Sequence, residues 1–196
     1  MLRGVIFDLD GTLVDSQLDF DAIRSEMALS DGEPILESID AMPPGPQKDD
    51  CLKVLYRHER RGAELATLMP GAGEFLAQLE RLELLRGLLT RNSRASTDTV
   101  LSRLSLQFSS VLTREQAPIK PSPAGLLAIC EAWQVSVDDV LFFGDFHFDL
   151  QAGRNAGIRT VLYAPGKLPG YSEQADFVIR DFSEALPLVL SMSKTG

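Results

Sequence analysis

Near the start of the chain lies the stretch Gly4-Val5-Ile6-Phe7-Asp8-Leu9-Asp10-Gly11-Thr12, in which an apolar run leads directly into two carboxylates and a glycine. Consecutive apolar positions are typical of a strand that is buried on both faces, as in a parallel sheet. Side chains two residues apart on a strand point the same way, so Asp8 and Asp10 are expected to share one face. Two carboxylates on one face repel each other and normally require a cation between them or a proton. Taken alone, the motif is equally compatible with a solvated loop.

Short β-branched and aromatic runs alternate with longer amphipathic segments along the rest of the chain. This alternation predicts an α/β fold with a parallel sheet and helices on both of its faces. After the first strand, we expect strands at Leu85 to Leu89, Ser110 to Leu112, Val140 to Phe143, Thr160 to Leu162 and Phe177 to Ile179. Ser122 followed by Pro123 predicts a helix start, and Gly157 predicts the end of a helix that begins near Asp149.

The first strand and the strand at Leu85 are separated by roughly 75 residues without a convincing strand, which is too long for one crossover helix and its loops. We therefore predict a helical insert at residues 16–70. The core domain would then consist of residues 1–15 and 71–196.

Two segments of this insert are amphipathic, Asp19 to Leu29 and Cys51 to Leu68. Breakers rich in Gly and Pro lie between them at residues 32–34 and 42–46. The next segment, Gly71 to Leu82, is expected to return to the core as a helix.

The composition narrows the class of protein. The 196 residues include 28 acidic and 19 basic side chains, which gives a formal net charge of −9. Such an acidic surface is repelled by phosphate backbones and by anionic lipid, so nucleic acid and membranes are disfavoured as partners.

The apolar stretches of the sequence are too short to cross about 30 Å of hydrocarbon. Cys51 and Cys130 lie far apart and outside any CxxC pair, and no signal peptide is recognised, so we expect a cytoplasmic protein without a disulfide framework or a zinc site.

Polar side chains follow several predicted strands at the point where each strand ends. In an open doubly wound sheet, the carboxyl ends of neighbouring strands converge on one crevice that binds ligands. Four acids, one hydroxyl and one lysine are therefore expected to meet there: Asp8, Asp10, Asp145, Asp149, Thr90 and Lys120.

These residue types suit phosphoryl transfer through a carboxylate. Aspartate oxygens without His or Cys select a hard cation such as Mg²⁺. Lys120 and the Thr90 hydroxyl are suited to bind the non-bridging oxygens of a phosphoryl group. Asp8 would attack phosphorus to form an aspartyl-phosphate. Asp10 would protonate the leaving oxygen and later deprotonate the attacking water.

The sequence resembles the haloacid dehalogenase (HAD) superfamily, in particular its phosphoglycolate phosphatase-like branch. The four motifs that carry the resemblance occur in the family's order and context, as Asp8-Leu9-Asp10-Gly11-Thr12, Thr90, Lys120, and Gly144-Asp145 with Asp149. The resemblance covers nearly the whole chain and implies a Rossmannoid sheet with a small helical C1 cap at the insert. It implies that Asp8 is both nucleophile and metal ligand, and that Asp10 is the acid/base, with its main-chain carbonyl on the metal. It also implies that Asp145 binds Mg²⁺ directly, that Asp149 ligates it or orients a metal-bound water, and that Thr90 and Lys120 hold the phosphoryl group.

Three positions depart from this pattern or add to it. Phe146 replaces the usual Ser or Thr after the aspartate of the fourth motif, so a hydroxyl that would orient a metal ligand is missing. Arg91 replaces the frequent Asn after Thr90 and is either a further phosphate-binding residue or a solvated loop residue. His147 lies between two acids, but a loop histidine is the favoured interpretation because the carboxylates already complete a hard-cation site.

The expected function is hydrolysis of a small phosphorylated metabolite by a Mg²⁺-dependent phosphatase. Within the resemblance, the second acid at Asp10 favours phosphate chemistry over dehalogenation. A phosphomutase of the β-phosphoglucomutase type is the alternative within the enzymes, and a non-catalytic binding or regulatory protein is the alternative outside them. The substrate does not follow from the fold, and the protein is expected to be a monomer or a homodimer.

Overall fold

Six parallel strands form the central sheet of the computed structural model, which describes residues 1–193. The strands along the chain are β1 (Gly4–Phe7), β2 (Val14–Asp15), β3 (Thr67–Leu68), β4 (Leu85–Leu89), β5 (Ser110–Leu112), β6 (Val140–Gly144), β7 (Arg159–Tyr163) and β8 (Phe177–Ile179). The order across the central sheet is β5-β4-β1-β6-β7-β8. β2 and β3 form a separate antiparallel pair. The predicted α/β fold class is confirmed.

Eight α-helices accompany the strands in the described part of the chain: α1 (Phe20–Glu26), α2 (Ile35–Ala41), α3 (Pro46–Leu65), α4 (Ala72–Arg81), α5 (Arg94–Arg103), α6 (Ala124–Trp133), α7 (His147–Ala156) and α8 (Ala185–Ser193). One face of the sheet packs against residues of α4, α5 and α8, with Phe7 and Phe143 in contact with Phe75. The other face packs against α6 and α7, with Ile6 and Phe142 in the same buried cluster as helix residues. Helices therefore cover both faces, as predicted.

The register of the sheet brings three strand ends to one edge. Phe7, the last residue of β1, pairs with Leu88 of β4 on one side and with Phe143 of β6 on the other. The chain runs from β1 to β4 and β5 on one side and later to β6, β7 and β8 on the other, so β1 lies where the strand order reverses. That reversal opens the crevice in which α/β proteins bind ligands.

The helix boundaries deviate slightly from those predicted. Gly157 adopts a left-handed conformation with φ of 72° and ends α7, as expected, but α7 begins at His147, two residues before Asp149. Helix α6 begins at Ala124 with Pro123 as its N-cap residue, one residue later than the Ser122 cap predicts. The Ser122 hydroxyl still accepts a hydrogen bond from the Ala124 N–H, at 3.3 Å.

Helices α1, α2 and α3 lie between β2 and β3 and have an apolar cluster of their own, with Ile23, Ile39 and Leu55 at its centre. Helix α2 was not predicted, because it is only seven residues long and follows the expected breaker at residues 32–34. Helix α3 begins at Pro46 rather than Cys51, since proline is well tolerated in the first turn of a helix. The division of the chain into a core and an insert at residues 16–70 stays a prediction.

Within residues 1–193, no helix has both the length and the apolar character that a bilayer crossing requires. The cytoplasmic location stays a prediction.

Candidate active site

The first acid of the predicted site lies at the exact end of the central strand. The Asp8 N–H donates to the Phe143 carbonyl at 2.8 Å, which continues the hydrogen bonding between β1 and β6 by one residue. The Asp8 side chain is buried. The backbone of the sheet therefore fixes the position of this carboxylate.

A tight turn after Asp10 brings β1 against the loop that follows β6. Gly11 has a φ of +80°, and a Cβ at this position would lie 2.3 Å from Oδ2 of Asp145. Only glycine satisfies both the left-handed backbone and this close approach. The next residue, Thr12, is buried, and its hydroxyl donates to Oδ1 of Asp145 at 3.0 Å.

Three carboxylates converge at this edge of the sheet. Asp8, Asp145 and Asp149 each offer an oxygen, and these oxygens lie within 4.8 Å of one another. Asp145 follows β6, and Asp149 is buried in the first turn of α7, where its Oδ2 accepts the Phe146 N–H at 3.0 Å. The close approach of α7 requires Gly144, because a Cβ there would lie 2.3 Å from the Asp149 Cβ.

Lys120 supplies a positive charge to this group of acids. Its Nζ lies 2.5 Å from Oδ1 of Asp8 and 2.6 Å from Oδ1 of Asp149, and the lysine itself is buried. Two hydrogen bonds position the backbone around Lys120. The Arg91 guanidinium donates to the Lys120 carbonyl, and the Asn155 amide donates to the Pro121 carbonyl, both at 3.1 Å.

The electrostatics of the site follow from this crowding. Burial raises the pKa of Asp8 to about 7, against the attraction of Lys120. Burial and the neighbouring Asp8 charge raise the pKa of Asp145 well above its usual value. Burial lowers the pKa of Lys120, but the attraction of Asp149 and Asp8 outweighs it, so its pKa is raised. One lysine does not balance the charge of these acids.

The donor set fits a hard divalent cation. Three carboxylate oxygens converge within a few ångströms, and no His or Cys belongs to this group among the described residues. Mg²⁺ is commonly held by one or two carboxylates together with water and substrate oxygens. A cation here would offset the negative charge of these buried carboxylates.

Asp10 lies beside the triad and has a different environment. Its Oδ2 accepts a hydrogen bond from the Asn92 amide, whereas its Oδ1 is buried and has no hydrogen-bond partner. Burial raises the pKa of Asp10, opposed by the nearby Ser16 and Asn92 side chains. The Asp10 side chain is not part of the carboxylate triad, and its assignment as a metal ligand stays a prediction.

Thr90 and Arg91 follow β4 and border the same cavity. The Thr90 N–H donates to the Leu112 carbonyl at 3.0 Å, which fixes the end of β4 against β5. Nη2 of Arg91 donates hydrogen bonds to both carboxylate oxygens of Glu37 in α2, each at 2.7 Å. The guanidinium also lies 4.5 Å from the ring centroid of Phe148. Arg91 is thus partnered by protein groups, and its predicted contact with phosphate stays a prediction.

Two hydrogen bonds orient acids of the triad, although position 146 carries no hydroxyl. The Thr12 hydroxyl bonds Asp145, and the backbone N–H of Phe146 bonds Asp149, so both acids are oriented without a Ser or Thr at position 146. The His147 ring packs beside those of Phe146 and Phe148, with centroids 4.2 Å apart in both cases.

Sequence reasoning missed several residues that shape the site. Asn92 belongs to the polar run after β4 but was given no role, although it bonds Asp10. Glu59 of α3 lines the cavity and pairs with Arg114, which follows β5. Neither Glu59 nor Arg114 belongs to a local motif, so no signal in the sequence marked them.

The site opens into a cavity of about 680 Å³ between the sheet edge and helices α1 to α3. All of the predicted site residues border it: Asp8, Asp10, Thr90, Arg91, Lys120, Asp145 and Asp149. The structure therefore brings the predicted residues together in one place.

Comparison with known proteins agrees with this geometry. The family model described as haloacid dehalogenase-like hydrolase matches residues 5–163. The chain belongs to the haloacid dehalogenase-like hydrolase family. A HAD-like hydrolase domain-containing protein of Arabidopsis thaliana is 32% identical, over 93% of this chain and 82% of the relative.

Two further proteins are similar to this chain. An N-acetylmuramic acid 6-phosphate phosphatase of Pseudomonas putida is 31% identical, with 81% of each chain covered. The crystal structure of a predicted phosphoglycolate phosphatase from Haemophilus somnus has the same fold, with a TM-score of 0.77 at 20% identity over 95% of this chain and 97% of the other. The resemblance to phosphoglycolate phosphatase-like HAD hydrolases is confirmed, since relatives with that name match this chain, and the family is one of hydrolases.

Proposed function

We propose that this HAD-like hydrolase is a Mg²⁺-dependent phosphatase of small phosphomonoesters that acts through an aspartyl-phosphate on Asp8. The observation that carries the proposal is the buried group of Asp8, Asp145 and Asp149 with Lys120 at the inner end of the cavity. Three buried carboxylates this close together are unfavourable in their ionised form unless a bound cation compensates their charge.

Asp8, Asp145 and Asp149 would hold the cation. When bound, Mg²⁺ supplies positive charge that offsets both the acids and the phosphoryl group, which otherwise repel each other. Lys120 and the Thr90 hydroxyl would bind non-bridging oxygens of the phosphoryl group, since both border the cavity beside Asp8.

The transfer to the enzyme exchanges the phosphate ester bond of the substrate for an acyl phosphate bond on Asp8. An oxygen of Asp8 forms a bond to phosphorus while the bond from phosphorus to the leaving oxygen breaks. Asp10 gives its proton to the leaving oxygen, which departs as an alcohol. The raised pKa of Asp10 supports this role, because it favours the protonated carboxyl before transfer.

Hydrolysis then regenerates the enzyme. Asp10, now a carboxylate, takes a proton from water while the water oxygen bonds phosphorus and the bond between phosphorus and Asp8 breaks. Phosphate leaves, and Asp10 is protonated again for the next cycle. The hydrogen bond from Asn92 supports this role by holding the Asp10 side chain in one orientation.

The relatives support a small substrate. One of them is named for a phosphorylated amino sugar, and others are named phosphoglycolate phosphatases at 26 to 28% identity. We infer that the substrate is a small phosphorylated metabolite. The expectations of a cytoplasmic monomer or homodimer without nucleic acid or membrane partners stay predictions.

The direct test is phosphate release from a panel of small phosphomonoesters, with Mg²⁺ and with excess chelator. We expect metal-dependent release that is lost in Asp8→Asn and retained in Asp138→Asn, a matched change at an exposed acid. Full activity in chelator, or in Asp8→Asn, would contradict the proposal. A long-lived phosphoenzyme that needs a sugar bisphosphate for turnover would instead indicate the phosphomutase.

A further inference from the structure

The wall of the cavity beyond the acids is aromatic and apolar. Phe20, at the start of α1, is 51% exposed, and Phe146 is 46% exposed, yet both border the same cavity. Leu18, Leu36 and Phe148 border it as well. Exposed apolar side chains that cluster around one opening, rather than lying singly, mark a binding surface.

The Phe146 ring packs against the ring of Tyr171. The Tyr171 ring meets it edge-on with centroids 5.9 Å apart, and the Tyr171 hydroxyl donates to the Asp145 carbonyl at 3.0 Å. The same tyrosine therefore holds both an acid of the triad and the aromatic residue next to it. A supported ring that is open on one side is suited to stack against a flat ligand.

The cations around the cavity are already paired with protein groups. Among the described residues, three Lys or Arg side chains border it, and Lys120 lies against Asp8 and Asp149. Arg91 is bound by Glu37, and Arg24 pairs with Asp21 at 2.6 Å and donates to the Glu33 carbonyl at 2.9 Å.

One exposed acid also borders the cavity. Asp15 lines it together with the acids of the triad, whereas the charge of Glu59 is balanced by Arg114. His147 also borders it, with its ring packed beside two phenylalanines. A carboxylate or a second phosphate on the leaving group would meet negative charge there, and any favourable contact would require breaking an existing ion pair.

From this arrangement we propose that the enzyme selects phosphomonoesters whose leaving group is uncharged and carries a flat apolar ring, which packs against the apolar wall to which Phe146 and Phe20 belong. The proposal rests on the proposed phosphatase function and adds the class of leaving group. It disfavours substrates with a second anionic group, such as phosphoglycolate, although relatives of this chain carry that name.

The test compares three phosphate esters of primary alcohols by kcat/KM in the presence of Mg²⁺. Ethyl phosphate and 2-phenylethyl phosphate have similar alkoxide leaving groups and differ in the ring, whereas 2-phosphoglycolate adds a carboxylate. We expect 2-phenylethyl phosphate to exceed each of the other two by at least about tenfold, because part of a phenyl ring leaves water in the bound state.

Substitution of single residues tests whether Phe146 and Phe20 cause the preference for the ring. Phe146→Ser and Phe20→Ser are each expected to reduce the ratio of 2-phenylethyl to ethyl phosphate by at least about threefold, since each removes part of the apolar wall. Leu127→Ser changes an apolar residue that is 42% exposed on α6 and does not border the cavity, so it should leave the ratio unchanged. Because Phe146 and Phe20 are both half-exposed, these changes should leave the fold intact, which circular dichroism would check.

The outcomes separate this inference from the function on which it rests. Hydrolysis of ethyl phosphate or phosphoglycolate as fast as 2-phenylethyl phosphate overturns the inference and leaves the phosphatase intact. If the ratio of kcat/KM for 2-phenylethyl phosphate to that for ethyl phosphate is unchanged in both phenylalanine variants, the inference is also overturned. No phosphate release from any ester, nor from the more reactive acetyl phosphate, overturns both.

Discussion

At the scale of single residues, the acids of the site are oriented by groups that come from distant parts of the chain. Thr12 lies 133 positions from Asp145, and Asn92 lies 82 positions from Asp10. Hydrogen bonds of this kind fix the orientation of a metal ligand or a proton donor. The Thr12 hydroxyl is thus assigned to orienting Asp145.

Thr12→Val tests this assignment, because valine keeps the shape of threonine and removes the hydroxyl. We expect the Mg²⁺ concentration for half-maximal activity to rise about tenfold, which is the usual effect of losing a partner of a metal ligand. Thr12→Ser keeps the hydroxyl and should remain close to the wild type. An unchanged Mg²⁺ dependence in Thr12→Val would show that Asp145 is oriented by other groups.

At the scale of elements, two ion pairs join the helices between β2 and β3 to the loops after β4 and β5. Glu59 of α3 pairs with Arg114, and their side chains are only 4% and 9% exposed. Glu37 of α2 pairs with Arg91, and these side chains are 37% and 21% exposed. The Arg114 guanidinium also donates to the Arg91 carbonyl at 3.1 Å, so the two pairs lie next to each other.

Burial predicts different consequences of breaking the two pairs. Glu59→Gln leaves the Arg114 charge buried, and we expect it to lower the free energy of unfolding by about 3 kcal/mol. Glu37→Gln breaks a more exposed pair and should cost about 1 kcal/mol or less. Urea denaturation of both variants makes the comparison. Equal losses, or a larger loss in Glu37→Gln, would contradict this ranking.

The elements show what the sequence can predict. The strands of the central sheet were placed to within one or two residues, because strands buried on both faces form continuous apolar runs. The pair of β2 and β3 was missed, since two residues carry no periodicity. Helix α2 was missed because it is short and follows Gly32 and Pro34.

The same reasoning applies to the site. Residues that follow strand ends, such as Asp8 and Asp145, could be predicted to meet because the geometry of a parallel sheet is general. The pairing of Glu59 with Arg114 depends on how α3 packs against a distant loop. The apolar wall of the cavity likewise depends on the placement of Phe20 and Phe146, and no spacing in the sequence brings these two residues to one cavity.

At the scale of the whole molecule, the buried acids connect the site to the stability of the fold. The pKa of Asp8 is about 7 in the folded protein, against an ordinary value of 3.8. Between these pH values the folded state binds more protons than the unfolded state, so stability falls as pH rises. Burial shifts the pKa values of Asp10 and Asp145 in the same direction.

We therefore expect the melting temperature in chelator to fall between roughly pH 4 and pH 7, through a loss of a few kcal/mol at most. Asp8→Asn removes one of the titrating acids and should flatten this dependence. Mg²⁺ should restore stability most strongly at the upper end of the range, where the acids are ionised. A melting temperature that rises with pH in chelator would contradict the burial of charged acids at this site.

The most direct test of the central claim is to trap the phosphorylated enzyme. The protein is mixed with substrate and Mg²⁺, quenched in acid during turnover, digested and analysed by mass spectrometry. We predict one phosphoryl group on the peptide that contains Asp8, and none on the corresponding peptide of Asp8→Asn. Phosphate release without a modified Asp8, or with the phosphoryl group on another residue, would contradict the account.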